Sequence, residues 1–366
     1  MKRKILITSI GSLVGSSIVE SLYPRRHEWF IVGVNSQPIA VNNFSSDVVY
    51  LVPETTQESA YIERMRSILR AEKPSVVLIG RDFDLSPLNK LRADPEFKET
   101  LFLMPSEACE PVLNDKNETW VFANHHKLPF AATASDRAEL DTLIEQFGFP
   151  LICKPRFGHG SLSVFIVTTV KQAYSALSEG NFVFQEFLSP PQDVQSLFPD
   201  FRFGVPLFYS INEHDHYSAQ GLVGSNGELL AFIATLSVLE GGKSISARPI
   251  DEPALEQVAA DYARALGPLG YIGPLNLNCK KIDSDHFVPY ELNGRFTGTT
   301  ATRAAFGHPE VEYALDYFLD GKKPKRRYQS KSNFMRQLVH RRPVPQLFDS
   351  VMVSQLITDG VWRRKS

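Results

Sequence analysis

The stretch FVPYELNGRFTGTT, residues 287–300, passes from an apolar strand pattern into three polar side chains at alternate positions. Glu291 and Asn293 are two residues apart, so a β-strand places both on one face, and Arg295 joins that face if the strand continues. An arginine can bind a phosphoryl group or a carboxylate through two parallel hydrogen bonds. The stretch therefore predicts the end of a strand whose one face handles anions and their counterions.

A second strand pattern, GPLNLNCKK at residues 273–281, precedes this stretch and is joined to it by a short polar turn. The two patterns predict a hairpin that carries Asn278 on one strand and Glu291 with Asn293 at the end of the other. Carboxylate and amide oxygens are hard ligands, as Mg²⁺ requires when it bridges phosphates. We therefore expect Asn278, Glu291 and Asn293 to be metal ligands.

Two lysines upstream can neutralise phosphate charge from separate elements. Lys116 leads a predicted helix, and Lys154 lies at the end of the strand pattern LICK. The turn after that strand contains Gly158, Gly160 and Ser161, and glycine lets backbone N–H groups approach phosphate oxygens without obstruction. These residues predict a site for the phosphates of a nucleotide.

The stretch FVFQEFL, residues 182–188, predicts an apolar strand with a polar end. A strand edge can offer its peptide N–H and C=O groups to the edge of adenine, while neighbouring apolar side chains cover the faces of the base. The predicted base contacts are Gln185, Glu186, Phe187 and Leu188.

The stretch GGKSIS, residues 241–246, contains the Gly-Lys-Ser of a P-loop, but Ser237 stands where that motif needs its first glycine. Strand patterns also surround it where a helix should begin. Lys243 and Arg248 remain candidates for contact with the γ-phosphate or a substrate carboxylate. Charges on a strand surface are the alternative interpretation of both.

These segments, in this order, resemble the ATP-grasp superfamily, and most closely its carbamoyl-phosphate-synthase-like carboxylate–amine ligases. The sequence ELNGRFTGTT is similar to the family's Glu-x-Asn-x-Arg-hydrophobic-Ser/Thr-Gly metal segment. The resemblance implies ATP and Mg²⁺ or Mn²⁺ as cofactors. We expect Arg295, Lys243 and Arg248 to act in the catalytic step. It also implies a ribose-binding acid shortly after the base contacts, for which Asp193 is the nearest candidate.

The resemblance also implies the reaction, in which ATP activates a carboxylate as an acyl phosphate and an amine then attacks it. The expected partners are small-molecule carboxylate and amine substrates, and the family's usual assembly is a homodimer. The implied fold class is α/β and α+β, with a Rossmann-like pre-ATP-grasp domain followed by a two-lobed ATP-grasp domain. The expected boundaries are 1–110 for the first domain, 111–188 for the N-lobe, 189–325 for the C-lobe with its metal site, and 326–366 for a C-terminal extension.

The start of the chain, ILITSIGSLVGSSIVESL at residues 5–22, predicts a strand, a glycine turn and a helix. Strand and helix patterns alternate through the first domain, which indicates a parallel, doubly wound sheet. A dinucleotide fingerprint would need glycine at Ser9 and an acid near Asn35. Gly11 and Gly15 are therefore expected to serve a tight turn and close packing.

The composition limits the class of protein. The chain has 366 residues, too many for one ordinary core, and 43% are hydrophobic. Its formal net charge of −2 gives no reason to expect nucleic acid or an anionic membrane as partner, and no apolar run is long enough to span a bilayer. The three cysteines form no CxxC pair, which favours a reducing compartment, so the cytoplasm is the expected location.

Two other functions stay open as alternatives. One is a non-catalytic ATP-grasp protein that binds a nucleotide, and the other, less favoured, is an NAD(P)-dependent oxidoreductase. Asp82 and Asp84 follow the carboxyl end of a strand, where they can contact a ligand or cap a helix. The run 214–216, His-Asp-His, resembles a metal clip, but its polar surroundings favour an exposed turn.

Overall fold

The computed structural model describes residues 2–158, 163–188, 205–206, 213–240, 242–324, 338–340 and 349–364. Three sheets organise these residues, and each is built mainly from strands that are close together in the sequence. The predicted combination of α/β and α+β structure is thus confirmed. Among the helices that the structure describes, none is long and apolar enough to cross a membrane.

The first sheet has six strands, of which five are parallel. Its strands are nearly continuous apolar runs because helices cover both faces. Ile5 belongs to the same apolar cluster as Ile18 of the first helix, whereas Leu6 belongs to a cluster with Met65 of the second. The parallel strands are β1 (Arg3–Ile7), β2 (Trp29–Asn35), β3 (Val48–Leu51), β4 (Val76–Leu78) and β5 (Leu101–Leu103), in the spatial order β3-β2-β1-β4-β5. The helices of this part are α1 (Leu13–Ser21), α2 (Glu58–Glu72), α3 (Leu85–Arg92) and α4 (Glu110–Asn114).

Neighbouring atoms pack closely against both glycines of the turn between β1 and α1, as predicted. A Cβ on Gly11 would lie 2.2 Å from Asn35 Nδ2, and a Cβ on Gly15 would lie 2.6 Å from Ile10 Cα. The Ser12 hydroxyl caps α1 by accepting a hydrogen bond from the Gly15 backbone at 3.0 Å. Because the Asn35 amide lies against the turn, the turn lacks the open backbone that a pyrophosphate needs.

The second sheet is antiparallel and has five strands. Its core contains Cys153, Val167 and Phe184, one from each of three strands, packed against two helices. The strands are β6 (Thr133–Ala134), β7 (Leu151–Pro155), β8 (Phe165–Val167), β9 (Phe182–Glu186) and β10 (Val205–Pro206), in the spatial order β10-β8-β7-β9-β6. The helices are α5 (Lys116–His125), α6 (Arg137–Phe147) and α7 (Val170–Ser178).

The third sheet is also antiparallel, has six strands and contains the predicted hairpin. Leu275, Leu277 and Cys279 face a core shared with the long helix of this part, so the alternate positions face the opposite side. The strands are β11 (Glu213–Val223), β12 (Leu229–Glu240), β13 (Lys243–Ile250), β14 (Gly273–Lys281), β15 (Phe287–Asn293) and β16 (Val339–His340), in the spatial order β15-β14-β11-β12-β13-β16. The helices are α8 (Pro253–Leu266), α9 (Thr300–Ala305) and α10 (Glu310–Asp320).

The end of the chain returns to the first sheet. Helix α11 (Ser350–Asp359) leads to β17 (Val361–Arg363), which pairs antiparallel with the edge strand β3. Trp362 contacts the ring of Phe44 edge-on at 5.2 Å, and Arg363 donates to the buried carboxylate of Glu72 at 2.6 Å. This strand therefore covers an edge of the sheet that would otherwise be open to pairing.

The prediction of an exposed turn at residues 214–216 is wrong. Strand β11 begins at Glu213, and His216 lies in it with only 9% of its surface exposed. The polar run misled because His216 faces the interior although Asp215 beside it is exposed.

Candidate active site

A cavity of about 1050 Å³ is lined by residues of the second and third sheets and by segments that connect the strands of the first. This volume lies just above the roughly 300–1,000 Å³ that is usual for small-molecule sites, so a nucleotide and a second substrate can share it. Most of the predicted site residues line this one cavity. They are Lys116, Lys154, Gly158, Gln185, Glu186, Phe187, Leu188, Lys243, Asn278, Glu291, Asn293 and Arg295.

Four predicted residues do not join this set. Gly160, Ser161 and Asp193 lie outside the described residues. Arg248 lies on β13 but not among the residues that line the cavity, and it pairs in register with a residue of β12. It is five residues along the strand from Lys243, a separation of roughly 16 Å at the usual rise of a strand. We therefore leave Arg248 out of the proposed site.

Lys154 points from β7 toward the hairpin of the third sheet. Its Nζ donates to Gln185 Oε1 at 2.8 Å and to the Tyr290 carbonyl at 3.0 Å. Burial lowers the pKa of Lys154 to about 7, and the nearby Glu291 carboxylate opposes part of that shift. An anion that enters the cavity would favour the protonated form of this amine.

Lys116 reaches the cavity from the first turn of α5. Asp115 caps this helix by accepting from the Asn117 backbone at 3.0 Å, which fixes where the lysine emerges. The Lys116 Nζ donates to the Gly158 carbonyl at 3.0 Å, in the predicted glycine turn. Burial lowers the pKa of Lys116, while Glu291 is the largest influence in the opposite direction. The two lysines therefore converge from different elements, as the phosphate prediction requires.

The hairpin strands β14 and β15 bring four oxygen donors together. The register pairs Asn278 with Glu291 and Asn276 with Asn293, and Asn278 Nδ2 donates to Glu291 Oε2 at 2.7 Å. Asn276, which the sequence interpretation missed, could have been found as the position two before Asn278 on the same strand face. One carboxylate and several amide oxygens suit Mg²⁺ that also takes oxygens from phosphate.

A metal here would need those amide and phosphate oxygens. Within the described parts of the chain, no group of three or more His, Cys, Asp or Glu side chains could hold a metal ion. Glu291 is the acid of the hairpin that lines the cavity, and its neighbours Asn278 and Asn293 are amides. The donor set thus fits a hard cation that arrives with a nucleotide rather than a resident transition metal.

Arg295 lies just past the end of β15, where Asp82 holds it. Its Nε donates to Asp82 Oδ2 at 2.9 Å, and one terminal nitrogen donates to Asn293 Oδ1 at 3.1 Å. The other terminal nitrogen donates to the Phe296 carbonyl at 3.1 Å. Asp82 itself lines the cavity, so of the two roles considered for it, contact with the site is the one that the geometry supports.

Several solved structures are similar to this protein over most of the length of its chain. N5-carboxyaminoimidazole synthetase from Staphylococcus aureus, in complex with ADP, aligns with a TM-score of 0.65 at 12% identity, over 89% of this chain and 80% of its own. The Thermus thermophilus N5-carboxyaminoimidazole ribonucleotide synthetase aligns with a TM-score of 0.63 at 17% identity, over 87% and 79% of the two chains. The chain has the ATP-grasp fold.

A third similar structure is the biotin carboxylase domain of the Hydrogenobacter thermophilus 2-oxoglutarate carboxylase, with MgADP, ADP and bicarbonate. It aligns with a TM-score of 0.63 at 14% identity, over 92% of this chain and 72% of its own. No protein family model matches the sequence, and no curated protein matches it. The ATP-grasp fold is therefore recognised here through structure and not through overall sequence similarity.

The predicted base-binding end of the ATP-grasp cavity is tied to the third sheet. The Glu186 carboxylate accepts a hydrogen bond from the Ala132 backbone at 2.8 Å, which stabilises the second sheet, and burial raises the pKa of Glu186. Leu188 belongs to a small apolar cluster with Ala131 and Val288. This leaves the segment after β9, rather than the Glu186 side chain, as the edge for a base.

Asp84, in contrast to Asp82, is a structural residue of the first sheet. It is fully buried, and its Oδ2 accepts from the hydroxyls of Thr8 at 2.7 Å and Ser9 at 2.9 Å. Burial raises the pKa of Asp84, and these hydrogen bonds oppose the shift. Neither Asp82 nor Asp84 caps a helix with its side chain, so the capping interpretation is wrong.

Two further residues of the ATP-grasp cavity were missed from the sequence. His216 Nδ1 lies 2.8 Å from the Tyr290 hydroxyl, and burial lowers the pKa of His216 to about 4, so its ring is neutral at pH 7. Lys280 lies two residues after Asn278 on the same face and donates to Asp215 Oδ1 at 2.7 Å. Both line the cavity, and the alternation of β14 could have indicated Lys280.

Proposed function

We propose that this chain is an ATP-dependent carboxylate–amine ligase, which activates a carboxylate as an acyl phosphate and joins it to an amine. The observation that carries the proposal is the convergence of two lysines, an acid–amide hairpin and an ion-paired arginine on one cavity. These side chains come from helix α5, from the second sheet and from the hairpin end of the third sheet, and each suits a different part of Mg-ATP or of a carboxylate. They are Lys116, Lys154, Asn278, Glu291, Asn293 and Arg295.

In this proposal the lysines bind the nucleotide phosphates. Lys116 and Lys154 neutralise charge on the α- and β-phosphates, and the base lies against the segment Phe187–Leu188. Glu291, Asn293 and Asn278 would hold Mg²⁺ or Mn²⁺, which supplies neutralisation of the β- and γ-phosphate oxygens when it is bound. The donor set described above fits such an ion.

The proposed reaction has two steps. A carboxylate oxygen of the substrate forms a bond to the γ-phosphorus, the bond to the β–γ bridging oxygen breaks, and ADP leaves. An amine nitrogen then attacks the acyl carbon, loses a proton, and inorganic phosphate leaves as the amide forms. Arg295 offsets charge on the phosphoryl group during its transfer, and Lys243 is a second candidate for this role. Positioning and electrostatics provide most of the rate enhancement in transfers of this kind.

The similar structures support the proposed ligands. The Staphylococcus aureus enzyme is in complex with ADP, and the Hydrogenobacter thermophilus domain is in complex with MgADP and bicarbonate. A nucleotide, a divalent cation and a small carboxylate-type anion are the three ligands that the cavity of this chain is proposed to take.

The experiment that tests the function measures ADP release from Mg-ATP across a panel of carboxylates and amines. A ligase releases ADP only when a suitable carboxylate is present, and forms an amide when the amine is added. A non-catalytic nucleotide-binding protein would bind Mg-ADP in calorimetry and release no ADP with any member of the panel. An oxidoreductase would instead show tight binding of NAD(P), which the closed turn at Gly11 disfavours.

Other parts of the proposal concern assembly and location. The proposed domains are residues 1–110, 111–188, 189–325 and 326–366. The three cysteines are unpaired and buried, which supports a reducing compartment, and we place the protein in the cytoplasm. The Hydrogenobacter thermophilus domain is a dimer, and we propose a homodimer for this chain, to be tested by analytical ultracentrifugation.

A further inference from the structure

The turn Thr297-Gly298-Thr299, which follows Arg295, is part of the cavity wall. Helix α1 holds it from one side: the Ser17 hydroxyl donates to the Gly298 carbonyl at 3.1 Å and accepts from the Ala301 backbone at 2.8 Å. A Cβ on Gly298 would lie 2.6 Å from Leu13 Cδ2, so the turn and α1 are in tight contact. The turn therefore has a fixed position relative to the first sheet.

A buried cation holds the same turn from behind. Arg303 has no exposed surface, and two of its nitrogens donate to the two carboxylate oxygens of Glu310 at 2.9 and 2.8 Å. The guanidinium also donates to Thr297 Oγ1 at 2.7 Å and to Thr299 Oγ1 at 2.5 Å. Both hydroxyl oxygens of the turn are thus acceptors toward the interior of the protein.

The positions of the two hydroxyl hydrogens follow from counting lone pairs. A hydroxyl has one hydrogen and two lone pairs. Thr297 Oγ1 accepts from Arg303 and from the Thr299 backbone at 3.3 Å, so it must be the donor in its 2.9 Å contact with Thr299 Oγ1. Thr299 Oγ1 then accepts from Arg303 and Thr297, and its own hydrogen is left over. No residue within the described part of the chain accepts that hydrogen.

We propose that the Thr299 hydroxyl donates a hydrogen bond to an oxyanion in the cavity. Thr299 lines the cavity, and the network behind it leaves the hydroxyl only the role of donor. This inference rests on the proposed function, which supplies two oxyanions, the transferred phosphoryl group and the substrate carboxylate. A donor fixed in advance by its neighbours stabilises such charge without reorganising at the moment of reaction.

Arg295 makes the same wall suitable for an anion. A guanidinium has five N–H groups. Within the described part of the chain, three of those of Arg295 donate hydrogen bonds, to the Asp82 carboxylate, the Asn293 side-chain oxygen and the Phe296 carbonyl. Arg295 and Thr299 both line the cavity and belong to one short segment between β15 and α9. An oxyanion near this segment can receive both the remaining guanidinium hydrogens and the Thr299 hydrogen.

The test compares Thr299→Val, which keeps the shape and removes the hydroxyl, with Thr299→Ser, which keeps the hydroxyl. Thr142→Val, on the exposed face of α6, is the matched control. Calorimetry on the full chain measures the affinity for Mg-ADP and for Mg-AMP-PNP, which adds a γ-phosphate. Acetate and bicarbonate are then titrated into the Mg-ADP complex as carboxylate probes. Thermal unfolding of each variant reports the loss of the contact with Arg303 separately.

The expected result is that Thr299→Val binds Mg-ADP within twofold of the wild type but loses about tenfold in affinity for one of the oxyanion probes. Loss for Mg-AMP-PNP assigns the donor to the phosphoryl group, and loss for acetate or bicarbonate assigns it to the carboxylate. Thr299→Ser should recover wild-type affinity for that probe. A merely structural role of the hydroxyl in the turn would instead weaken the binding of Mg-ADP and of every oxyanion probe together. Wild-type affinity of Thr299→Val for every probe would overturn the inference alone. A wild type that binds no Mg-ADP would overturn the proposed function and the inference with it.

Discussion

Asp82 accepts a hydrogen bond from Arg295 Nε at 2.9 Å, although the two residues are 213 positions apart in the sequence. Both side chains are largely buried and both line the cavity. The contact joins the loop after β4, in the parallel sheet, to the segment after β15, in the antiparallel sheet. Through this contact a connection of the first sheet orients Arg295 at the cavity.

Replacement of Asp82 by Asn should slow the proposed reaction without weakening nucleotide binding. The amide still fills the space but no longer fixes the guanidinium by charge, and small misplacements of a catalytic group cost about 10- to 100-fold in rate. We expect kcat for ADP release to fall by about that factor, with Mg-ADP affinity unchanged. Asp359→Asn, at the exposed end of α11, is the control. An Asp82→Asn variant with wild-type kcat would show that Arg295 does not depend on this contact.

Replacement of Glu291 by Gln should nearly abolish turnover. Glu291 accepts a hydrogen bond from Asn278 at 2.7 Å. It is the acid of the hairpin face, so its replacement removes the main negative charge that would hold Mg²⁺ there. We expect kcat to fall by about 10²–10³-fold, the cost of losing one preorganised charge-stabilising group. A titration of Mg²⁺ at fixed ATP should also show a higher Mg²⁺ requirement. Glu145→Gln, on the exposed side of α6, controls for loss of a surface charge, and equal activity of both variants would exclude Glu291 from the site.

Binding of Mg-ADP should take up a proton through Lys154 above neutral pH. Burial lowers the pKa of Lys154 to about 7 in the free protein, so at pH 8 most of these side chains are neutral. Phosphate oxygens favour the charged form, which raises the pKa in the complex. Proton uptake should therefore approach one per nucleotide near pH 8 and disappear below about pH 6, where Lys154 is already charged.

Calorimetry in two buffers of different ionisation enthalpy measures this uptake. Lys154→Arg is the matched variant, because arginine remains charged at every pH of interest. It should bind Mg-ADP without the pH-dependent proton uptake. The assignment to Lys154 fails if the arginine variant and the wild type take up the same number of protons.

The residues of the hairpin were predictable from the sequence because their signal is local. The spacing of Glu291 and Asn293 has the period of a strand, and the same alternation would also have indicated Asn276, which was missed. Lys154 was predictable for a similar reason, as a charge at the end of an apolar strand. Predicting these residues required only a short stretch of sequence and the chemistry by which proteins bind phosphate.

The remaining contacts depend on tertiary structure. Nothing near Asp82 in the sequence indicates that Arg295 will lie beside it, and His216 looked exposed because its neighbours are polar. Arg303, in TATRAAFG, has the pattern of a surface residue, yet it is fully buried against Glu310. Burial of a charge is decided by a partner elsewhere in the chain, which periodicity does not report.

Removal of one member of the Arg303–Glu310 pair should destabilise the protein strongly. Both side chains are almost fully buried, and Arg303 also donates to Thr297 and Thr299. Arg303→Met leaves an uncompensated buried carboxylate, which costs about 3–5 kcal/mol, and Glu310→Met should cost a similar amount. The double variant should lose much less than the sum of the two, because neither charge is left unpaired. Denaturant unfolding of the four proteins measures this coupling. Additive losses would mean that each residue acts through other contacts and that the turn at Thr299 does not depend on the pair.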